Sequence, residues 1–511
     1  MLDGAEQVLL ITDTDGRDIR IENEFVNNEF PGLDRIVVSS VANIGELEIL
    51  NQFGGELRVT VNRGAQVGSI DFQGGDADET LAIYGRVEGR TQFVARDGDN
   101  VLALFEGSEA LGIDANAGVD FASGDGDDLI VVRGTVGNLL FAETGDGDDQ
   151  VTVDSRRAAV QLDLFSVYTE GGNDRVDIYA DQLQYVDGVF FPDDLPINSK
   201  TIDADLGDDD DIFIIRGFDR DLDRVRVRGG DGDDVMASQN AAALNMQFFG
   251  GDGNNRFLVE TDLPPDDRPG TSYDIIGGNA DDRVVLRNVG LVFTDIDLGG
   301  STTRDAVRLE GDSFYKTLNI GFDGVARIEG DRPRYVQNLL IQERTLPVEG
   351  ALEDPKGQLF LNLRDSGLTR GDGLAAFRAT VLMKETSTAD NVITLDGYVV
   401  GPLLQIVGGQ GRDQINLRGI ATDRLFIDSR GGDDEILLAG AVVRDTSSFD
   451  PGDEPIGNLN VQTGAGDDFV DNTGVVIGGY NLFDGGDGFD ILVDEAIANA
   501  DVVNFETVTV V

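Results

Sequence analysis

The stretch from Ser123 to Gly134, SGDGDDLIVVRG, joins a turn of glycine and aspartate to a run of apolar residues. In LIVVR every second side chain lies on the same face of an extended chain, which is the period of a β-strand. Glycine tolerates the positive φ angles of tight turns, and aspartate caps its own backbone there. The stretch therefore predicts a tight turn that leads directly into a strand with one buried face.

The same unit recurs along the chain, as in TGDGDDQVTVDS from Thr144, RGGDGDDVMASQ from Arg228 and GGDGFDILVD from Gly485. Other copies, some of them weaker, begin at Gly74, Arg96, Gly171, Asp205, Phe249, Gly277, Leu298, Gly408, Gly431 and Thr463. Neighbouring copies are often roughly 21 to 25 residues apart, which is within the range of one solenoid repeat. A second strand-like segment lies between them, such as NLLFAET from Asn138. One such strand cannot bury its face alone, so stacked coils are expected to share a continuous apolar core.

We therefore expect an all-β fold, an elongated parallel β-helix or β-solenoid with one Gly/Asp turn per coil. Residues 1–50 are expected to form an N-terminal cap and the first strands, and residues 51–310 a solenoid with Gly/Asp turns. Residues 311–400 lack the turn signature and are expected to be degenerate coils or a small insertion. Residues 401–511 are expected to be solenoid with Gly/Asp turns and a C-terminal cap that protects the last strand edge.

The composition excludes several classes of function. The chain of 511 residues has a formal net charge of -57 and neither cysteine nor histidine, which removes disulfides, thiolate nucleophiles and imidazole bases. Such a charge repels nucleic acid and anionic membranes and favours cations as partners. Apolar runs such as Leu403 to Val407 are too short to cross a membrane, so we expect no membrane insertion. The first residues, MLDGAEQVLL, show no export signal.

The turns resemble the nonapeptide G-G-x-G-x-D-x-U-x of the repeats-in-toxin family, in which U is a large apolar residue. Complete matches begin at Gly229, Gly408 and Gly485. The resemblance implies calcium held between stacked turns, by Asp234, Asp413 and Asp490, and, with one changed glycine, by Asp128, Asp149 and Asp468. The family has two nonapeptides per coil, whereas this chain has one turn per longer coil, so the resemblance covers the turns and suggests a wider β-helix.

Elementary electrostatics also points to a cation at the turns. Equivalent aspartates in stacked coils lie about 4.8 Å apart, and carboxylates at that spacing repel unless they are protonated, screened or bridged. Calcium accepts six to eight oxygen ligands in flexible geometry, which suits such an edge better than magnesium does. The alternative is that these residues only form good turns and hold no specific ion. The predicted calcium ligands are Asp125, Asp127, Asp128, Asp146, Asp148, Asp149, Asp231, Asp233, Asp234, Asp252, Asp413, Asp433, Asp434, Asp467, Asp468, Asp487 and Asp490.

These features favour a calcium-binding structural or adhesive β-solenoid, outside the cell or on a bacterial cell surface, as a surface-layer, matrix or adhesin component. Expected partners are calcium and either further copies of the chain or a cell-surface polysaccharide or protein. Pro-containing loops at residues 190–196, 263–269 and 449–455 are candidate contact sites. The alternative is a β-helix lyase or hydrolase acting on extracellular polysaccharide. We expect no enzyme, because among 96 acids no carboxylate pair stands out and tryptophan is absent.

Overall fold

The structure is a computed structural model, and its described part divides into two compact units, residues 1–251 and 252–511. Each unit is treated by itself below. The described residues are 7–22, 33–51, 55–110, 118–136, 139–156, 160–161, 164–179, 183–184, 200–217, 222–241, 243–261, 272–343, 358–364, 378–396, 403–443, 459–477, 479–494 and 500–510.

Short strands make up nearly all of the regular structure in the first unit. They are β1 (Val8–Ile11), β2 (Ile19–Glu22), β3 (Arg35–Val38), β4 (Asn43–Leu50), β5 (Leu57–Val61), β6 (Gln66–Gln73), β7 (Glu79–Ile83), β8 (Arg86–Val87), β9 (Thr91–Val94), β10 (Val101–Leu104), β11 (Glu109–Ala110), β12 (Val119–Ala122), β13 (Leu129–Val132), β14 (Thr135–Val136), β15 (Leu139–Glu143), β16 (Gln150–Asp154), β17 (Val160–Gln161), β18 (Leu164–Tyr168), β19 (Arg175–Tyr179), β20 (Leu183–Gln184), β21 (Lys200–Asp208), β22 (Ile212–Arg216), β23 (Leu222–Asp231), β24 (Val235–Gln239) and β25 (Ala243–Asp252).

These strands stack into two ladders of parallel neighbours. The first ladder has the order β1-β3-β5-β7-β10-β13-β16-β19-β22-β24, and the second has the order β2-β4-β6-β9-β12-β15-β18-β21-β23-β25. Successive strands along the chain therefore alternate between the ladders, apart from the two-residue strands. Of these, β8, β11 and β14 form a short third ladder beside the start of β6. This winding is that of a parallel β-solenoid.

Strands again dominate the second unit. They are β26 (Arg256–Glu260), β27 (Ser272–Gly278), β28 (Arg283–Arg287), β29 (Gly290–Glu343), β30 (Gln358–Arg364), β31 (Arg378–Leu382), β32 (Asn391–Asp396), β33 (Leu403–Val407), β34 (Asp413–Arg418), β35 (Ala421–Thr422), β36 (Leu425–Asp428), β37 (Glu435–Leu437), β38 (Val442–Val443), β39 (Leu459–Gln462), β40 (Phe469–Asp471), β41 (Val476–Ile477), β42 (Asn481–Asp484), β43 (Ile491–Asp494), β44 (Ala500–Val503) and β45 (Thr507–Val510).

The same two ladders organise this unit. The first ladder runs β26-β28-β29-β30-β32-β34-β37-β40-β43-β45, and the second runs β27-β29-β31-β33-β36-β39-β42-β44. The long element β29 belongs to both, because it pairs with β27 and β28 near its start and with β30 and β31 near its end. The described part of residues 311–400 thus continues the ladders through β29 to β32.

The core consists of rows of apolar side chains that point inward from successive strands. One row in the first unit joins fully buried residues in strict register: Ile36, Val59, Leu81, Leu102, Ile130, Val151, Val176, Phe213 and Met236. Phenylalanines stack in the second ladder, where the rings of Phe72 and Phe93 are parallel with centroids 4.8 Å apart. Such register buries each strand's inner face against the coils before and after it.

The structure confirms the predicted fold class, an all-β chain of stacked parallel strands. No helix occurs among the described residues. The tail NFETVTVV, expected to form a cap, contributes β45 as a strand of the first ladder. The Pro-containing segments 190–196, 263–269 and 449–455 lie outside the described residues.

Candidate functional site

Each Gly/Asp turn carries the chain from the second ladder to the first. In the turn between β15 and β16, Gly145 and Gly147 have φ angles of 81° and 148°. A Cβ on Gly147 would lie 2.1 Å from the carbonyl oxygen of Gly126 in the preceding coil. Glycine is therefore required here both by conformation and by the close approach of stacked backbones. The turns form a continuous edge within each unit, which we call the turn edge.

The predicted calcium ligands on the turn edge fall into a buried set and an exposed set. The buried set occupies the last position of the turn: Asp128, Asp149, Asp234, Asp413, Asp434, Asp468 and Asp490. The exposed set is Asp125, Asp127, Asp146, Asp148, Asp231, Asp233, Asp252, Asp433, Asp467 and Asp487. Adjacent aspartates in one turn thus face opposite sides of the backbone, and the two sets have different chemistry.

The buried carboxyls form an inner row in which each Oδ1 accepts the backbone N–H of the equivalent residue one coil earlier. In the first unit the bonds run from Asp128 N to Asp149 Oδ1 at 2.8 Å, from Asp149 N to Asp174 Oδ1 at 2.8 Å, from Asp174 N to Asp211 Oδ1 at 2.8 Å and from Asp211 N to Asp234 Oδ1 at 3.0 Å. In the second unit they join Asp413, Asp434, Asp468 and Asp490 at 2.7 to 2.9 Å. The carboxyls thereby satisfy backbone donors that the turns would otherwise leave unpaired.

The second oxygen of these carboxyls points at the residue five positions earlier, the first residue of the turn. At Gly408 an added Cβ would lie 1.9 Å from Oδ2 of Asp413, which explains the first glycine of the motif. Other turns have a serine or threonine there, such as Thr144 before Asp149. Oδ2 is buried without a hydrogen-bond partner among the described residues at Asp128, Asp149, Asp174, Asp211, Asp282, Asp305, Asp434, Asp468 and Asp490.

Burial raises the pKa of the inner-row carboxyls. Loss of hydration raises the pKa of Asp128, Asp149 and Asp174 to about 7, although the Thr144 hydroxyl lowers that of Asp149. The pKa of Asp211 rises to about 9, again chiefly through burial; Leu206 replaces the glycine or hydroxyl residue there. In the second unit burial raises the pKa of Asp305 and Asp434 to about 8 and that of Asp282, Asp413 and Asp468 to about 6. A proton on Oδ2 removes the repulsion between neighbouring carboxyls in this row.

The exposed aspartates one position earlier form an outer row with the opposite direction of hydrogen bonding. Asp148 N donates to Asp127 Oδ1 at 3.0 Å, and Asn173 N donates to Asp148 Oδ1 at 2.9 Å. Asp467 N likewise donates to Asp433 Oδ1 at 3.0 Å in the second unit. The N–H of Asn173 lowers the pKa of the fully exposed Asp148. The outer row therefore presents ionised carboxylates to water, whereas burial raises the pKa of the inner-row carboxyls.

The remaining exposed aspartates are Asp125, Asp146, Asp231, Asp252 and Asp487, two positions before the outer row. Their backbone carbonyls accept hydrogen bonds from the neighbouring coil: Gly98 N donates to Asp125 O and Gly126 N donates to Asp146 O, both at 2.8 Å. Their carboxylates add further negative charge beside the outer row. The exposed turn edge thus presents two carboxylates per coil in the best copies of the motif.

Sequence reasoning missed four members of the inner row, Asp174, Asp211, Asp282 and Asp305. Asp174, Asp211 and Asp282 each directly precede a strand of the first ladder, and Asp305 directly precedes the segment of β29 that pairs with β28. Other polar residues extend the row: Asn100 Oδ1 accepts from Glu79 N at 3.0 Å, and Glu506 Oε2 accepts from Asp490 N at 2.7 Å. The position of an acid or amide just before an alternating strand was the signal that could have found them.

The carboxyl oxygens of the turn edge determine how calcium could bind there. Within the described ranges, no three acidic side chains converge in a way that could enclose a metal ion. In the inner row one carboxyl oxygen is already taken by a backbone N–H, while the other is buried, and burial raises the pKa of these carboxyls. The outer row offers charged, hydrated carboxylates in adjacent coils. Calcium binding by few protein carboxylates, with water completing the shell, is chemically compatible with the outer row.

Fold and turn edge together define the chain as a parallel β-solenoid with Gly/Asp turns, compatible with repeats-in-toxin proteins. Comparison with known protein families, curated proteins and solved structures gives no match. Among the described residues there is no helix that is long and apolar enough to cross a membrane.

Proposed function

We propose that the chain is a non-catalytic β-solenoid, a structural or adhesive component outside the bacterial cell, whose exposed turn edge binds calcium. The observation that supports this most is the outer row, where charged carboxylates of successive coils lie in register, as Asp127 and Asp148 do. With few carboxylates per ion, we expect affinities near those of extracellular calcium modules, roughly 10⁻⁴ to 10⁻³ M. Binding would therefore matter where calcium is abundant.

Thermal unfolding with and without calcium tests the proposal. At ten times Kd each site that binds only folded protein adds about 1.4 kcal/mol, so 10 mM calcium after chelator treatment should raise Tm clearly. The variant Asp127→Asn/Asp148→Asn removes two outer-row charges and should lose part of this gain. The matched variant Asp71→Asn/Glu143→Gln removes the same charge from strand faces and should keep it.

Magnesium provides the second control, because its stricter octahedral geometry suits an open row of carboxylates poorly. An equal rise in Tm with magnesium, or an equal loss in both variants, would show general screening of the acidic chain. Either result, or no rise with calcium at all, would overturn calcium binding at the turn edge. Calorimetric titration of the same variants would count the ions directly.

A further inference from the structure

An open groove lies on the outer face of the first ladder in the second unit. It begins beside the turn edge, because its residue Arg304 directly precedes the inner-row Asp305. Outward side chains on neighbouring strands line it in register: Arg327, Phe360 and Val392 in one line, and Glu329, Asn362 and Thr394 in the next. The groove has a volume of about 250 Å³. A second hollow of about 510 Å³ adjoins it, since Glu329 and Asn362 line both. Together they reach the size of a small-ligand site.

The charge of the groove differs from that of the chain as a whole. Arg304 and Arg327 line the first hollow, and Arg308 lines the second. Glu329 and Glu310 are the acids among the lining residues. In a chain with 96 acids and 39 basic residues, a groove with more guanidinium groups than carboxylates is a local reversal of charge. It favours a ligand with negative charge at contact distance.

Arg327 is held in place by its neighbour Glu329. Glu329 Oε1 accepts from Nε of Arg327 at 2.7 Å and from its Nη2, so the plane of this guanidinium is fixed. The Arg304 guanidinium lies 6.0 Å from the centre of the Phe360 ring, at the outer limit of a cation–π contact. A fixed guanidinium binds a planar carboxylate through paired hydrogen bonds with little loss of entropy.

We propose that this groove, lined by Arg304, Arg327, Phe360 and Asn362, binds a short oligosaccharide that contains uronic acid residues. The carboxylate of one sugar would bind between Arg304 and Arg327, and the apolar face of its ring would pack on Phe360. The Asn362 amide supplies a donor and an acceptor for hydroxyl groups. Arg304 also occupies the outer-row position of its coil, where its backbone N–H donates to Asp281 Oδ1 at 2.9 Å, so binding of the sugar is tested in the absence of calcium.

Calorimetric titration with trigalacturonic acid, against maltotriose as the neutral probe, tests this site. The buffer contains EDTA, which excludes calcium bridges at the turn edge, and 0.15 M salt, where a Debye length of about 8 Å weakens repulsion by distant acids. We expect the acidic trisaccharide to bind at least tenfold more tightly than the neutral one. Arg304→Ala and Phe360→Ala should each weaken binding about tenfold, and Arg327→Lys, which keeps the charge, should weaken it less.

Arg418→Ala is the matched control, because Arg418 is an exposed arginine on β34 outside the lining of the groove. This variant should bind like the unaltered protein, and circular dichroism melts should show that all variants fold. Equal affinity for maltotriose, no binding at millimolar trigalacturonic acid, or an equal loss in Arg418→Ala would overturn the proposal. None of these outcomes bears on the calcium-dependent Tm, so the two proposals stand or fall separately.

Discussion

In two regions of the second unit, buried carboxyls at the turn edge accept backbone N–H groups, but different chemistry compensates their charge. From Gly408 onward the turns use the inner row, in which Asp413, Asp434, Asp468 and Asp490 accept backbone N–H groups and burial raises the carboxyl pKa. Between residues 323 and 384 the motif is missing, and Lys384 takes its place. Its Nζ lies 3.0 Å from Asp323 Oδ1 and 4.0 Å from Glu343 Oε1.

The lysine network is buried, with side-chain exposures of 10% for Lys384, 6% for Asp323 and 1% for Glu343. Glu343 Oε2 also accepts the backbone N–H of Lys384 at 2.9 Å, as an inner-row carboxyl would accept from another coil. The difference shows that the edge of the solenoid needs, at each coil, a side chain that accepts a backbone N–H. It also needs a way to neutralise the charge of that side chain. In one region the raised carboxyl pKa favours a bound proton for this purpose, and in the other an ammonium group lies beside the carboxylates.

Removing the ammonium group should have the largest effect. Lys384→Met leaves Asp323 and Glu343 buried without their counter-ion, which costs about 3 to 5 kcal/mol when one partner of a buried pair is lost. Urea unfolding at pH 7 measures the loss. Arg418→Met, an exposed change, should stay within about 0.5 kcal/mol.

The triple variant Lys384→Met/Asp323→Asn/Glu343→Gln removes all three charges together and should recover most of the loss. If Lys384→Met alone lost less than about 1 kcal/mol, the two regions would not be related as described. The edge near residue 384 would then be held by backbone stacking alone.

Glycine supplies a second difference, between turns in which stacked backbones approach each other closely and corners in which they do not. Gly147→Ala should destabilise by about 3 kcal/mol, because a side chain at this φ is strained and its Cβ would meet Gly126 O. Gly440 has a φ of 67° with no atom within 4 Å of an added Cβ. Gly440→Ala should therefore cost only about 1 to 2 kcal/mol. Equal losses in the two variants would show that stacking does not require glycine.

The alternation of buried and exposed residues in the strands predicted much of the fold. The same alternation also predicts which turn residues are buried. Asp149 lies two and four residues before the buried Val151 and Val153, so alternation carried back through the turn places Asp149 inside and Asp148 outside. The resemblance to calcium repeats drew attention to the acids as one group of ligands. The number of residues between an acid and the buried positions of its strand separates the two groups. An even separation places the carboxyl inside, and an odd one places it outside.

The lysine network was beyond sequence reasoning. Lys384 is 61 residues from Asp323 and 41 from Glu343, and no motif marks any of the three. Their meeting depends on the lengths of the segments between coils, which differ from coil to coil. The groove was equally hidden, because its residues come from β29, β30 and β32, and only the register of these strands brings them together.

The raised pKa values of the inner row predict an unusual pH dependence of stability. Burial raises the pKa of Asp211 to about 9, above the value near 4 in an unfolded chain. Between these values the folded chain keeps a proton that the unfolded chain has lost, so stability is full below pH 4 and falls as pH rises through 9. In chelator, unfolding between pH 5 and 9 should therefore show decreasing stability with increasing pH.

Asp211→Asn isolates one member of the row, because the amide keeps the acceptor oxygen and needs no proton. The natural inner-row residues Asn100 and Asn391 show that the row accepts this replacement. Relative to the unaltered protein, the variant should gain nothing at pH 4 and progressively more as pH rises to 8, by up to about 1.4 kcal/mol for each pH unit. The outer-row variant Asp210→Asn keeps the same kind of acceptor toward Asp233 N but is exposed, so it should leave the pH profile unchanged. Equal slopes in all three proteins would mean that the inner carboxyls are charged in the fold, and the row would then need a bound cation in place of protons.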